Sequence, residues 1–216
     1  EKKREINCHV KGIDACSSEI ACRPEVFGQV FRYLSDIRIV SECVFNQAVN
    51  TARIPQNLRI TYHVGEDFLD LVDGLRAIDE TILFCNLNRG DRLGHALALG
   101  IEPQNYYCMK GNKVIIAKQV LLDDVVWMYC KANELGCHIG EQLKTELIET
   151  YYQLYKEIYE NNIREEVCPS VHEYYQGWKL RGDNPEIYKL NEVQFKSVIV
   201  RTELLKFDRY QLNPRV

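Results

Sequence analysis

The residues with most chemistry to offer fall in three short clusters. His63-Val64-Gly65-Glu66 sets an imidazole and a carboxylate three positions apart, where the strand-like run over residues 58–63 gives way to a glycine. In a β/α architecture catalytic groups gather at such strand ends. A neutral imidazole there can bind Zn²⁺, and the carboxylate can reach a substrate held beside the metal. Taken alone, an H-x-x-E also describes a structural histidine capping a sheet. Arg92-Leu93-Gly94-His95 brings a second imidazole to the close of another short strand, and Gly12-Ile13-Asp14, followed by Glu19, brings two carboxylates to an earlier one. Proton-carrying side chains thus stand at three successive strand ends.

Positioning them takes a series of strand and helix units. Residues 6–14 read as the first strand, and Arg23-Pro24-Glu25 opens a helix with Val26, Phe27, Val30, Phe31 and Leu34 at helical spacing and proline in a tolerated first-turn position. An irregular connection ending in Arg53-Ile54-Pro55-Gln56-Asn57 leads into the second strand. From residue 67 to about residue 84, Phe68, Leu71, Val72, Leu75, Ile78, Ile82 and Leu83 recur every three or four positions, as on an amphipathic helix. Residues 92–97 give the third strand, entered through Asn88-Arg89-Gly90-Asp91. Such units in series argue for a parallel sheet of the α/β class. Right-handed crossovers place the ends of its strands on one side, so Gly12-Ile13-Asp14, His63 and His95 are expected at one edge.

The second half has another grammar. Residues 118–135 and 142–163 read as helices, the latter with the stripe Leu143, Leu147, Tyr151, Leu154 and Ile158, which needs a core or a neighbouring subunit to cover it. Shorter helices are expected near 170–181 and 185–207, separated by the helix-breaking turn Arg181-Gly182-Asp183-Asn184-Pro185. The expected organisation is therefore 1–101 as βα units and 102–216 as a mainly helical insertion or extension. Tyr151, Tyr152, Tyr155, Tyr159, Tyr174 and Tyr175 concentrate here, and such rings form core edges or subunit contacts, the latter giving a homo-oligomer through this half.

The succession G-I-D with a following acid, H-V-G-E and R-L-G-H resembles the adenosine and AMP deaminase family, over about residues 6–101. The resemblance implies the middle strands of a (β/α)8 TIM barrel, in a zinc-dependent hydrolase that deaminates purines. By position it implies His63 as a zinc ligand, Glu66 as the acid that protonates purine N1, and His95 as the residue that orients or deprotonates the zinc-bound water. Asp14, Ser17 and Glu19 would line the purine site. Zinc lowers the pKa of its water toward ~7, the hydroxide attacks C6, and protonation of the neighbouring nitrogen makes that carbon electrophilic, so ammonia leaves. The substrate implied is a purine nucleoside or nucleotide, or an adenine within RNA or DNA. Gly65-Glu66-Asp67-Phe68 and the helical half look like the large deaminase-like subunits of bacterial antiphage systems. The sequence also departs from the family: Ser17 stands where it has glycine, Val64 where it has alanine, and His9 stands alone where it has an H-x-H pair. Asp123-Asp124 is similar to its late Asp-Asp pair, yet reads as the opening turns of a helix, where acids favour the local dipole.

Composition sets the bounds. The 216 residues, 46% hydrophobic and 27% charged, describe a globular chain, and 27 basic against 31 acidic side chains give no broad electrostatic footprint for a phosphate backbone. No apolar stretch reaches the ~20 residues that cross a bilayer. Nine cysteines, an odd number scattered along the chain, read as buried free thiols of a reduced, cytoplasmic protein. Cys130, Cys137 and His138 are spaced too widely for a zinc knuckle. His138 and His172 read as helix-end or surface residues. The charged start at Glu1-Lys2-Lys3-Arg4-Glu5 and the stop at Asn213-Pro214-Arg215-Val216 suggest a fragment of a longer polypeptide, one that alone binds zinc sub-stoichiometrically and lacks activity. The rival reading is a non-catalytic oligomerisation module with inherited barrel motifs. A third is an unrelated α/β protein with chance matches.

Overall fold

The computed structural model describes residues 10–16, 18–20, 22–36, 38–39, 56–159, 168–184 and 187. Ser17, His9, residues 53–55, the end of the expected helix at 160–163 and nearly all of 185–207 lie outside the described residues. The chain is of mixed α/β class. Its first half runs through β1 (Gly12–Ala15), a 3-10 turn (Pro24–Val26), α1 (Gly28–Asp36), β2 (Arg38–Ile39), β3 (Gln56–Asn57), β4 (Arg59–Val64), α2 (Leu71–Phe84) and β5 (Arg92–His95). A second 3-10 turn (Leu97–Gly100) leads to α3 (Pro103–Met109), α4 (Lys118–Glu134), α5 (Glu141–Tyr159) and α6 (Val171–Lys179). A capping box starts α6: Ser170 Oγ accepts the Glu173 N–H and the Glu173 carboxylate accepts the Ser170 N–H. Among the described residues no helix is long and apolar enough to cross a membrane.

β1, β4 and β5 form a parallel sheet in the order β1-β4-β5, while β2 and β3 pair antiparallel. The register sets Asp14 opposite Thr61 and His63 opposite Gly94. Alternation along β4 sends Ile60, Tyr62 and Val64 to one buried face and leaves Thr61 and His63 half-buried on the other. Leu71, Ala77 and Ile78 of α2 cover the first face, with Phe31 from α1, and Ile13, Ala15 and Leu93 pack at its margins. Around α1 the spacing only half holds: Phe27, just before the helix, and Phe31 turn inward, whereas Val30 is exposed about 100° round the helix from Phe31, and Val26 is exposed on the preceding 3-10 turn.

The helical half has its own core. Leu122, Val125, Val126 and Cys130 of α4 meet Leu147, Tyr151, Leu154 and Tyr155 of α5, and Tyr174, Tyr175 and Trp178 of α6. Tyr151, Tyr155, Tyr159, Tyr174 and Tyr175 are thus buried in this chain's own interior, while Tyr152 is exposed. The α5 stripe is covered from Leu147 onward, but Leu143 is half exposed. Phe84, at the end of α2, belongs to this second core, so α2 is covered on both sides.

That double cover encloses a group of charges. Arg76 and Glu80 of α2 and Asp123 and Asp124 of α4 are each at most 1% exposed. Arg76 donates to Glu80 at 2.6 Å, to Asp124 at 2.7 Å and to Asp73 at 2.8 Å, while Arg23 pairs with Asp73 at 2.7 Å and with Glu80 at 2.6 Å. Arg181 grips Asp123 at 2.7 and 2.9 Å, and Tyr174 donates to the same carboxylate at 2.7 Å. Asp123 and Asp124 are therefore not dipole-favouring acids on a helix surface. They are acidic side chains of a buried charged seam between α2 and α4. Burial alone would raise the Glu80 and Asp123 carboxyls; Arg23 and Arg76 hold Glu80 below its ordinary value, and Arg181 and Arg76 do the same for Asp123. Arg181-Gly182-Asp183 does form the turn after α6, and it is packed inward: a Cβ on Gly182 would lie 2.5 Å from Phe84.

Candidate active site

Asp14, His63 and His95 do stand together at the carboxyl edge of the sheet. His63 Nδ1 lies 3.0 Å from Asp14 Oδ1 and 3.3 Å from the Ala15 carbonyl oxygen, so neighbouring β1 fixes the ring from that side. The ring then lies across β5 at Gly94. A Cβ there would fall 2.5 Å from His63 Cδ2 and 2.6 Å from Cγ, which makes glycine a steric requirement of the imidazole's position.

His95 reaches the site by an unusual backbone. It pairs with Val64, which is buried against the helices, and strict alternation would send both side chains to that covered face. Instead His95 has φ 55° and Ala96 φ 48°, two successive left-handed residues without glycine. The imidazole swings out, 5.1 Å from the His63 ring between centroids, with Nε2 3.2 Å from Glu66 Oε2. Each such residue costs of order 1 kcal/mol and persists where its surroundings over-determine it. They do so here: the Ala96 N–H donates to Val64 O at 3.0 Å and to Gly94 O at 2.7 Å, and the Ala98 N–H donates to Gly65 O at 2.9 Å.

Glu66 follows Gly65, whose φ of 76° turns the chain out of β4. Its side chain is 28% exposed and that of His95 51%, so the pair is open to an incoming molecule. Glu19, expected to line a substrate pocket, spends both carboxylate oxygens on backbone: it accepts the N–H groups of Gly65 at 2.6 Å, Glu66 at 2.8 Å and Asp67 at 3.2 Å.

One cavity, of about 640 Å³, lies behind the covered face of the sheet, and Glu19, Val64 and Asp67 stand on its wall, whereas Asp14, His63, Glu66 and His95 do not. Its walls include Ile20, Phe68, Ile116, Val120 and Ile158, with Arg23 and Asp73 already ion-paired to each other.

A zinc site asks for about three protein ligands. His63 suits one of them, since a ligating imidazole is ordinarily held through its other ring nitrogen by a carboxylate or carbonyl, as Asp14 and Ala15 O hold Nδ1. Among the described residues there is no group of three His, Cys, Asp or Glu side chains able to hold a metal. Asp123 and Asp124 are committed to Arg76 and Arg181. Cys130 is in the core and Cys137 is exposed, as are Cys16, Cys108 and Cys168, so the thiols are not uniformly buried. Burial pushes the Cys85 and Cys130 thiols up to about 12, which makes them inert at neutral pH.

No protein-family model and no curated protein matches the chain.

Proposed function

We propose that this chain carries the proton-transfer groups of a purine deaminase-like hydrolase, acting on the 6-amino group of adenine in a nucleoside, a nucleotide or a nucleic acid strand. The observation that carries the reading is the meeting of Asp14, His63, Glu66 and His95 at one strand edge, with Glu66 in contact with His95. In this reading the sheet is part of a (β/α)8 barrel and that edge is its catalytic mouth. His63 Nε2 would take one zinc position. Zinc supplies a water acidic enough to attack at neutral pH.

The chain's own residues do the rest. Glu66 passes a proton to the ring nitrogen beside the reacting carbon, which draws electrons from that carbon. His95 takes the proton of the attacking water, and its contact with Glu66 lets the two share protons as the amine departs. Asp14 holds the His63 tautomer that leaves Nε2 available.

Ammonia release from adenosine, AMP and an adenine-containing oligonucleotide, measured on the protein in its natural reading frame with zinc, tests the reading. One of the three is expected to turn over, and Glu66→Gln to reduce kcat by about 100-fold or more at unchanged zinc content. A zinc-replete protein that releases no ammonia from any of them, or a Glu66→Gln variant as active as its parent, overturns it.

A further inference from the structure

Glu66 sits on a loop, and a loop carboxylate that must protonate one particular atom needs something rigid to hold it. Loops at functional sites owe their precision to what anchors them. Here the Gly65 peptide is gripped from two sides. Its carbonyl accepts the Ala98 N–H at 2.9 Å, from just beyond the left-handed pair that presents His95. Its N–H, with those of Glu66 and Asp67, points at Glu19 on the loop after β1. Three consecutive backbone donors converging on one carboxylate form an anion-binding concavity, filled here by the protein's own side chain. Such charge-assisted bonds are about twice as strong as neutral ones.

We infer that Glu19 is a positioning residue, whose carboxylate clamps the loop of residues 65–67 so that Glu66 meets His95, and that it does not contact substrate. The clamp ties the β1 loop to the β4 loop while the Ala98 bond ties the β4 loop to the segment after β5, so the three strand ends carrying Asp14, Glu66 and His95 move as one body. Three of the roughly four acceptor positions of the Glu19 carboxylate are taken by these backbone donors, so its main commitment is to the loop. A glutamine at 19 keeps the length and one acceptor oxygen, but turns an NH2 toward a backbone N–H.

The role assigned to Glu66 rests on the proposed function; the clamp itself does not, and the two are tested separately. Amide hydrogen exchange of Gly65, Glu66 and Asp67 is measured on the whole chain and on Glu19→Gln. Exchange at these three amides is expected to speed up at least about 10-fold with the core amides of β4 unchanged. Unchanged exchange at 65–67 overturns the clamp, whatever the protein catalyses. Deaminase kinetics then follow for Glu19→Gln, Glu66→Gln and the double variant. Glu19→Gln is expected to lower kcat about 10- to 100-fold with KM unchanged, and to cost nothing further in the Glu66→Gln background, because it acts only through Glu66. A raised KM, or a full additional loss in the double variant, marks Glu19 as a substrate contact and overturns the inference. Should Glu66→Gln leave activity intact while the amides still loosen, the proposed function fails and the clamp stands.

Discussion

Replacing Asp124 with asparagine isolates a single proton inside the ionic seam. Asp124 Oδ1 accepts from Arg76 Nε at 2.7 Å, whereas Oδ2 is buried with no hydrogen-bond partner among the described residues. Burial, and after it the nearby Asp73 and Asp123 carboxylates, push its carboxyl from an ordinary 3.8 up to about 7 against the pull of Arg76. A value near 7 means that the protonated acid predominates in the folded chain at pH 6. The unfolded chain releases that proton near pH 4. Between those values the folded state binds more protons, so stability falls as pH rises and levels off above about 7. At about 1.4 kcal/mol for each pH unit, the whole gap comes to about 4 kcal/mol, of which about 2 kcal/mol is lost above pH 5.5. Asparagine mimics the neutral acid at every pH and keeps an acceptor oxygen for Arg76.

Thermal and urea unfolding from pH 5.5 to 8, followed through buried Trp178 beside Glu80, reads this directly. Wild type is expected to lose about 2 kcal/mol across that window, or about 4–8 °C in Tm, relative to Asp124→Asn. Asp123 and Glu80, held below their ordinary values, contribute stability that is lost only at lower pH, and other titrations are common to both proteins. A difference between the two proteins that stays constant across the window would refute the protonated Asp124.

Two other changes probe the frame around the site. Arg76→Met leaves Glu80, Asp123 and Asp124 buried with one cation fewer, and is expected to cost about 3–5 kcal/mol in urea unfolding; a loss under about 1 kcal/mol means the seam admits water. Gly94→Ala puts a methyl where the His63 ring lies, so the histidine should leave Asp14, seen as a changed His63 ring resonance, at about 1–3 kcal/mol in stability; an unmoved ring shows that β5 can give way instead.

The strand ends were legible because their signal is local. A run such as Leu58 to His63 that leads through Val64 to Gly65 announces where β4 stops, and parallel order then brings His63 to Asp14 without further information. α4 was equally plain, expected over 118–135 and found over Lys118–Glu134. α2 begins later than its periodicity suggests, since Asp67 to Asp70 are spent leaving β4, and α3 was not anticipated. What stayed hidden depends on partners far along the chain. Nothing near Glu19 says that its acceptors serve amides 46 to 48 residues away, and nothing near Arg76 says that its partner Asp124 lies 48 residues on. The left-handed backbone at His95 and Ala96 is hidden for another reason: histidine visits that region more often than most residues, but alanine gives no sign that two such residues follow one another.

The ionic seam bears on how this chain could have arisen and how it can be handled. The expected boundary after residue 101 looks, on sequence, like a place to graft or remove a module. Cutting there would strip Asp123, Asp124 and Arg181 from Arg76 and Glu80, leaving α2 with a charged flank shaped for a partner it no longer has. Neither piece could be exchanged for a foreign one without its matching set of guanidinium and carboxylate groups. Expression trials of 1–101 should therefore carry Arg76 and Glu80 changed to side chains at ease in water, and substitutions at the seam should be sought in pairs spanning both halves.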